Sequence, residues 1–328
     1  MSLANAIERF LPESNPWPDE PEGYSIWITV FRVYKVPYDT QIARVGRFDA
    51  GPIHVMLTNE NLPYPEIAYG FDPLPDGSVR PRGGLLGWNT TSYGNLLLLL
   101  TPLKSDVADV DPEVAVRHKT DSARAIIVAI LGLNAAFERV CEFSFDTGTG
   151  DISRRSPALE NPTFHGTPNI GDTFSWQLIK TILEGIDALE VETQNRVLLS
   201  IRWFQRALGD ERVHNVGGGN VDTLLNYWIA LETLVRVGEQ KVAGTLIKSL
   251  ANIHNLATQE IGQKFPISKV YERRKSIVHT GDLSFDVSFE LQQFLTDVFV
   301  DILALQVMSL ATPPRTQKYL DGRAYGYL

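Results

Sequence analysis

The sequence of 328 residues has little of several features that mark specialised classes of protein. Its one cysteine, Cys141, excludes an internal disulfide and a cysteine cluster for zinc. The longest apolar runs, residues 96–100 and 125–133, are far shorter than the roughly 20 residues of a membrane-spanning helix. The amino terminus lacks the basic stretch and apolar block of a secretory signal. We therefore expect a globular cytoplasmic protein with no membrane association.

Positive charge is also scarce. The chain has 30 Lys and Arg against 39 Asp and Glu, which gives a formal net charge of -9. Such a molecule repels polyanions at long range, so any nucleic-acid site must be a local cluster of cations. The histidines do not show the spacing of a metal site, and no phosphate-binding Gly-Lys-Ser/Thr motif is present. The sequence predicts neither a metal nor a cofactor.

The first half of the chain, residues 1–165, is rich in β-branched and aromatic segments bounded by Pro and Gly. Strands are predicted at residues 24–36, 53–57, 94–100 and 139–145, and one helix at residues 122–137. The Pro- and Gly-rich run at residues 72–84 predicts irregular structure, and residues 146–171 predict a linker. We expect a β-rich domain with a sensing or recruiting role.

The second half changes to helical periodicity. Helices are predicted at residues 173–189, 193–208, 220–237, 242–261, 267–279 and 285–310, the last behind Ser284 or Asp286 as N-cap. Six helices in this space predict a bundle. The predicted fold class is therefore α+β. It consists of a β-rich amino-terminal domain with one or two helices, an all-α bundle over residues 172–312, and a tail at residues 313–328, ordered or frayed.

The strongest basic focus lies in the fifth predicted helix and the residues just before it. Five cations fall within twelve positions, namely Lys264, Lys269, Arg273, Arg274 and Lys275. The segment ends at His279, and histidine exchanges protons near neutral pH. Cleavage of RNA by its own 2′-hydroxyl requires such a pair, because a cation holds the phosphate oxygens while an imidazole moves the proton. RNA is the partner that this pattern indicates.

Arg274 and His279 are five positions apart, which places them about 140° apart on a continuous helix. They act on one atom only if the helix ends between them, if long side chains curl round, or if a twofold axis sets two copies face to face. We favour the homodimer. In the alternative interpretation, Arg273 to Lys275 form a solvated face and His279 interacts with the helix dipole.

Glu232 is a further candidate. It shares a helix face with Leu225, Trp228 and Val235, so its carboxylate is expected to be partly buried and to need a partner. Arg236, one turn further along the helix, and Arg274 from a neighbouring helix are both suitable. Glu232 therefore either orients Arg274 or pairs within its own helix.

The helical half resembles the HEPN domains, particularly the Apea-like branch. The resemblance rests on the aromatic-rich helix at residues 196–208, the Ala-Leu-Glu helix at residues 224–235, and a Tyr-x-x-Arg segment ending in Ile-Val-His and Gly. Arg274, followed after four residues by His279, fits the family's Arg-x4–6-His signature, and Arg273 fits it with five. The resemblance covers residues 172–312.

This resemblance implies a dimer that joins two motifs in a cleft and, in active members, cuts RNA without metal, leaving a cyclic phosphate. Arg274 would hold the phosphate, and His279 would transfer or position the proton. Arg273, Lys275 and Glu232 would support them, while Lys264 and Lys269 would bind nucleic acid. The sequence departs from the family at Lys275, where active nucleases often carry Asn, Asp or His. It also departs at Gly281, where toxins controlled by nucleotide addition carry Tyr.

Two functions follow from the resemblance. The first is a metal-independent endoribonuclease of HEPN type in a prokaryotic defence or toxin-like response, with its site shared by two copies. The second is a catalytically inactive HEPN module for RNA binding or dimerisation, combined with a ligand-sensing amino-terminal domain.

Overall fold

In the computed structural model, the chain folds into two compact units. One consists of Met1–Asp121 and Asn134–Trp176, and the other of Ser122–Leu133 and Gln177–Leu328. Within these units the structure describes residues 3–8, 11, 13–33, 47–50, 53–58, 71–73, 79–81, 96–104, 109–131, 137–156, 173–210, 221–235, 241–282, 284, 287–308 and 313–328.

A six-stranded antiparallel sheet forms the centre of the first unit, with strand order β2-β3-β6-β1-β7-β8. Its strands are β1 (Ser25–Val33), β2 (Arg47–Ala50), β3 (Ile53–Thr58), β6 (Leu96–Pro102), β7 (Phe137–Asp146) and β8 (Ile152–Ser156). In the central strand, Ile28 pairs with Leu100 on one side and Phe143 on the other, and all three are buried. The four predicted strands are confirmed.

Two segments predicted to be irregular contain strands. β4 (Phe71–Pro73) and β5 (Val79–Pro81) pair with each other inside the Pro- and Gly-rich run. The start of the predicted linker is the β7–β8 hairpin, in which the Asp146 carboxylate accepts the N–H groups of Gly148 and Thr149 at 2.9 and 2.8 Å. Its Gly- and Thr-rich sequence encodes a tight turn rather than a spacer.

The first unit also contains the short helix α1 (Leu3–Glu8), and the helix α2 (Pro112–Leu131) begins in it. α2 begins ten positions before the predicted start at residue 122. Asp111 caps it, since its carboxylate accepts the Glu113 N–H at 2.9 Å, and Pro112 occupies the first helical position, where no donor is needed. The predicted α+β class is confirmed, because the amino-terminal half is β-rich with two helices and the second half is helical.

The second unit is a bundle of helices. Its members are α3 (Thr173–Asp187), α4 (Val191–Asp210), α5 (Val221–Val235), α6 (Val242–His254), α7 (Thr258–Lys264), α8 (Ile267–Thr280) and α9 (Phe289–Met308). The single helix predicted at residues 242–261 is two, because Asn255 takes the left-handed conformation with φ 52°. The predicted loop at residues 216–220 lies outside the described residues.

α9 forms the core of the bundle, with Phe294, Leu295, Val298 and Phe299 completely or almost completely buried. The ring of Phe299 stacks on that of Phe204 from α4, with centroids 4.1 Å apart. The helix begins later than predicted, at the N-cap Ser288, whose hydroxyl accepts the Leu291 N–H at 3.2 Å. Within the described residues, α9 alone has the length and hydropathy of a membrane-spanning helix, and 72% of that window is buried, as expected of a core helix.

Residues 313–328 form an ordered C-terminal arm with two 3-10 turns, Arg315–Tyr319 and Arg323–Tyr327. Two buried carboxylates of α9 hold it. Asp301 accepts the backbone N–H groups of Arg315 and Thr316, at 2.9 and 2.8 Å, together with the Thr316 hydroxyl. Asp297, fully buried, accepts the Tyr319 hydroxyl at 2.7 Å. The tail is therefore part of the bundle.

His254 completes this network at the end of α6. Its Nε2 lies 2.8 Å from the Thr316 hydroxyl, whose one proton goes to Asp301, so Nε2–H is the donor. Burial lowers the pKa of His254, and burial raises the pKa of Asp301 to about 6, against the opposing effect of the Thr316 donors. At neutral pH the charged Asp301 carboxylate accepts these bonds, and the Gln317 Oε1, 3.2 Å from Nδ1 of His254, opposes the effect of burial on the His254 pKa because it favours the protonated imidazole.

Replacing glycine by alanine is expected to have opposite effects on the free energy of unfolding at two helix positions of the bundle. A Cβ at Gly185 in α3 would lie 2.9 Å from the Val307 carbonyl oxygen of α9, whereas a Cβ at Gly244 in α6 meets no atom within 4 Å. Gly185→Ala should therefore lower the free energy of unfolding by about 1–3 kcal/mol, and Gly244→Ala should raise it by about 0.5 kcal/mol. Urea denaturation measures both, and a stabilising Gly185→Ala would contradict the close helix contact.

Candidate functional site on α8

α8 carries both members of the predicted Arg-His motif on one uninterrupted helix. It continues through His279 to Thr280 and ends at Gly281, which has φ 67° and donates its N–H to the Ile277 carbonyl at 3.0 Å. The helix therefore does not end between Arg274 and His279, which rules out one of the three ways in which they could converge. Their spacing keeps them about 140° apart around the axis.

Arg274 lies on the inner side of α8. It shares this side with Ile267, Val270 and Ile277, all of which are buried. The guanidinium is half-buried, its Nε is buried without a hydrogen-bond partner, and no residue that the structure describes forms an ion pair with it. A positive charge held in this way lacks the anion that normally accompanies a half-buried arginine.

His279 lies on the outer side, in an exposed stripe formed with Tyr271, Lys275 and Val278 at helical spacing. Tyr271 is 36% and Val278 51% exposed, so both side chains are partly open to solvent on the same side of the helix as the imidazole. His279 has no hydrogen bond or ion pair to any described residue. Lys275 makes only a loose contact of 3.6 Å with Glu272, both being half-exposed or more.

α8 is anchored on α5 through aromatic rings. The ring of Tyr271 lies 5.5 Å from that of Trp228, which is buried and whose indole N–H has no partner among the described residues. Glu232 follows Trp228 by one helical turn and is half-buried, as the sequence predicted. Its interactions include no hydrogen bond or ion pair with Arg274. Arg236, the other predicted partner of Glu232, lies outside the described residues.

The other predicted cations already have neighbours. Arg273 pairs with Asp282 at 3.1 Å, and Lys264 with Glu260 at the same distance. The Lys269 ammonium lies 4.9 Å from the ring centre of Tyr325 in the C-terminal arm. An open groove separates the arm from α8, lined by Ser268, Lys269, Glu272, Arg273, Ser276 and the terminal Leu328.

Asp282 just after α8 is a residue that the sequence did not single out. Hydrogen bonds from the side chain and backbone of Ser284, with a smaller contribution from Arg273, hold the pKa of its carboxyl below the usual range. The ion pair between Asp282 and Arg273 holds the Arg273 side chain on the groove side of the helix. Exposure of Tyr271 and Val278 was also missed, although their seven-residue spacing was a detectable signal.

No family model, curated protein or solved structure matches the chain in comparisons with known proteins. Over the described part of the chain, no group of three His, Cys, Asp or Glu side chains is placed to hold a metal ion. The arrangement on α8 offers a guanidinium, an exposed imidazole and an apolar border. Those groups are suited to binding a phosphate and transferring a proton.

Proposed function

We propose that the helical unit is a metal-independent endoribonuclease of HEPN type, whose site is completed by a second copy of the chain. The observation that carries the proposal is the α8 stripe, where His279 lies without a partner among the described residues, on the same side of the helix as the exposed Tyr271 and Val278. A twofold contact through this stripe would cover the apolar side chains and bring two imidazoles into one cleft. Arg274, which forms no ion pair with any described residue, supplies the cation that a phosphate needs, and its long side chain has to curl round the helix to reach the cleft.

The chemistry follows from the roles of these groups. One His279 takes the proton from the 2′-hydroxyl, whose oxygen attacks the adjacent phosphorus. The P–O2′ bond forms and the P–O5′ bond breaks, and the second imidazole, as imidazolium, gives its proton to the leaving 5′-oxygen. Arg274 holds the non-bridging oxygens as negative charge develops on them. The products are a 2′,3′-cyclic phosphate and a 5′-hydroxyl, with no proton gained or lost overall.

A second candidate function is a non-catalytic module that binds RNA or dimerises. The pairing of Lys264 with Glu260 and of Arg273 with Asp282 favours it, because cations that are already neutralised contribute less to a phosphate site. RNA binding that weakens with salt but yields no product would identify this function. In both cases we propose that the β-rich unit senses a ligand or recruits a partner. We also propose that the protein acts in prokaryotic defence, as the HEPN resemblance implies.

The test introduces a positive charge into the α8 stripe so that two copies of the chain repel each other there. Val278→Lys places like charges across the proposed twofold contact, and we expect the dimer dissociation constant to rise at least about 30-fold, or ~2 kcal/mol. Sedimentation should then show a monomer, and cleavage of mixed RNA in EDTA should fall with the dimer fraction. Val114→Lys, which changes a 43% exposed valine of α2, is the matched control and should alter neither. A fully active monomeric Val278→Lys variant would refute the shared site.

A further inference from the structure

α4 has an inner face that accounts for its place in the bundle. Val197, Ile201, Phe204 and Ala207 are completely buried there. Ser200, on the same side, donates its hydroxyl to the Ala230 carbonyl of α5 at 2.7 Å. Packing therefore fixes the orientation of this helix, and the opposite side is held towards solvent.

A surface helix usually presents only polar and charged residues to solvent, whereas the outer side of α4 combines cations with an apolar and an aromatic side chain. Leu199, Arg202, Trp203 and Arg206 follow each other at i, i+3, i+4 and i+7, and so form one stripe, which we call the α4 stripe. Leu199 is 47% exposed, both arginines are exposed, and Trp203 is half-buried. The carbon at the centre of the Arg206 guanidinium lies 4.5 Å from the centre of the Trp203 ring.

The local charge contrasts with that of the whole protein. Residues 193–209 contain three arginines and no Asp or Glu, in a chain with a formal net charge of -9. Arg202 makes no hydrogen bond or ion pair with any described residue, and the recorded neighbour of Arg206 is the indole of Trp203. Two guanidinium groups one helical turn apart are therefore available to an anionic partner.

A planar aromatic ring beside free guanidinium groups matches the two chemical parts of a single-stranded nucleic acid. The guanidinium groups bind phosphates, while the indole and the guanidinium plane offer surfaces on which an unpaired base stacks. A membrane-binding helix would instead present a continuous apolar strip with cations at its borders, and here the arginines interrupt the strip. An acidic protein would satisfy the charges without using the stacked pair.

We propose that the α4 stripe is a binding surface for single-stranded RNA, with Arg202 and Arg206 on successive phosphates and Trp203 stacked on a base. This inference names a substrate surface for the proposed ribonuclease, and so rests on that function for its biological meaning. The contacts involve the RNA backbone and base faces, so the surface should accept many sequences.

The experiment measures binding separately from cleavage. Full-length protein carrying His279→Ala is titrated into a fluorescein-labelled oligouridylate at several salt concentrations, and anisotropy is recorded. Adding Arg202→Gln and Arg206→Gln should raise Kd at least about tenfold and reduce the slope of log K against log salt by about 1.4, or roughly 0.7 for each lost phosphate contact. Adding Trp203→Leu should weaken binding roughly 5- to 150-fold, the equivalent of about 1–3 kcal/mol, with the slope unchanged.

The matched control removes two exposed cations of another helix, Lys241→Gln at the N-cap of α6 with Lys248→Gln within it, and should leave Kd within about twofold. Equal losses in the control and the α4 variants, or no oligouridylate binding by the parent protein, would overturn the proposal. So would binding to phosphatidylserine vesicles in place of the oligonucleotide. If RNA binding depends on the α4 stripe but the parent protein cleaves no RNA, the proposed ribonuclease function is wrong and the binding surface stands. If the parent protein cleaves RNA but binding does not depend on the α4 stripe, the binding surface is wrong and the ribonuclease function stands.

Discussion

His279→Ala should reduce the rate of RNA cleavage by roughly 10²- to 10⁴-fold, the contribution of a positioned acid-base group. The imidazole is exposed and has no bond to any described residue, so its removal takes away proton transfer without disturbing packing. The melting temperature should therefore stay at its parent value. Cyclic-phosphate product, separated by chromatography after incubation in EDTA, measures the rate.

Arg274 extends the same test. Arg274→Ala should cost about 10²- to 10³-fold in rate, because it removes the cation that faces the developing charge. Arg274→Lys should recover only part of the rate, since an ammonium does not present the two parallel donors of a guanidinium. Lys248→Ala, an exposed cation of α6 outside the proposed site, is the control and should stay within a few-fold of the parent. Equal cleavage by the parent, Arg274→Ala and His279→Ala would assign the activity to another site or a contaminant.

Asp297→Ala should lower the free energy of unfolding by about 3 kcal/mol, or roughly 150-fold in the folding equilibrium. The carboxylate is fully buried and lies 2.7 Å from both the Tyr319 hydroxyl and the Lys318 ammonium, with the Arg315 guanidinium at 3.8 Å. Its loss leaves the buried tyrosine hydroxyl without an acceptor and two cations without their counter-charge. The effect should be largest on the C-terminal arm.

Urea denaturation at pH 7.5 is the measurement, because Asp301, with a pKa of about 6, is then ionised and does not titrate during the transition. Hydrogen exchange should show that the backbone amides of Arg315 and Thr316 lose protection first. Asp321→Asn is the control, since Asp321 and its partner Arg323 are both more than half exposed, and no change should be resolved. An Asp297→Ala variant as stable as that control would show that the arm is held by other contacts.

The sequence predicted the type of most elements because burial imposes a period on apolar residues. The density of β-branched and aromatic residues between Pro and Gly identified strands such as β1, and the helical spacing of apolar residues identified α3, α5, α8 and α9. The predicted boundaries of elements were wrong where a single polar residue sets the end of an element through its backbone conformation or its hydrogen bonds. Asn255 breaks one predicted helix in two, Ser288 replaces Ser284 or Asp286 as the cap of α9, and Asp146 closes a hairpin in what was predicted as a linker.

By itself the sequence determined the α+β class, the position of the Arg-His motif late in the chain, and the angle between its two residues, since helix geometry follows from spacing alone. Only the tertiary structure decided which side of α8 faces the core, and hence that Arg274 is half-buried and His279 exposed. It also decided that Asp297 and Asp301 are buried in an apolar helix. That burial is stable because donors of the arm, 14 to 22 positions further along the chain, reach them only after folding.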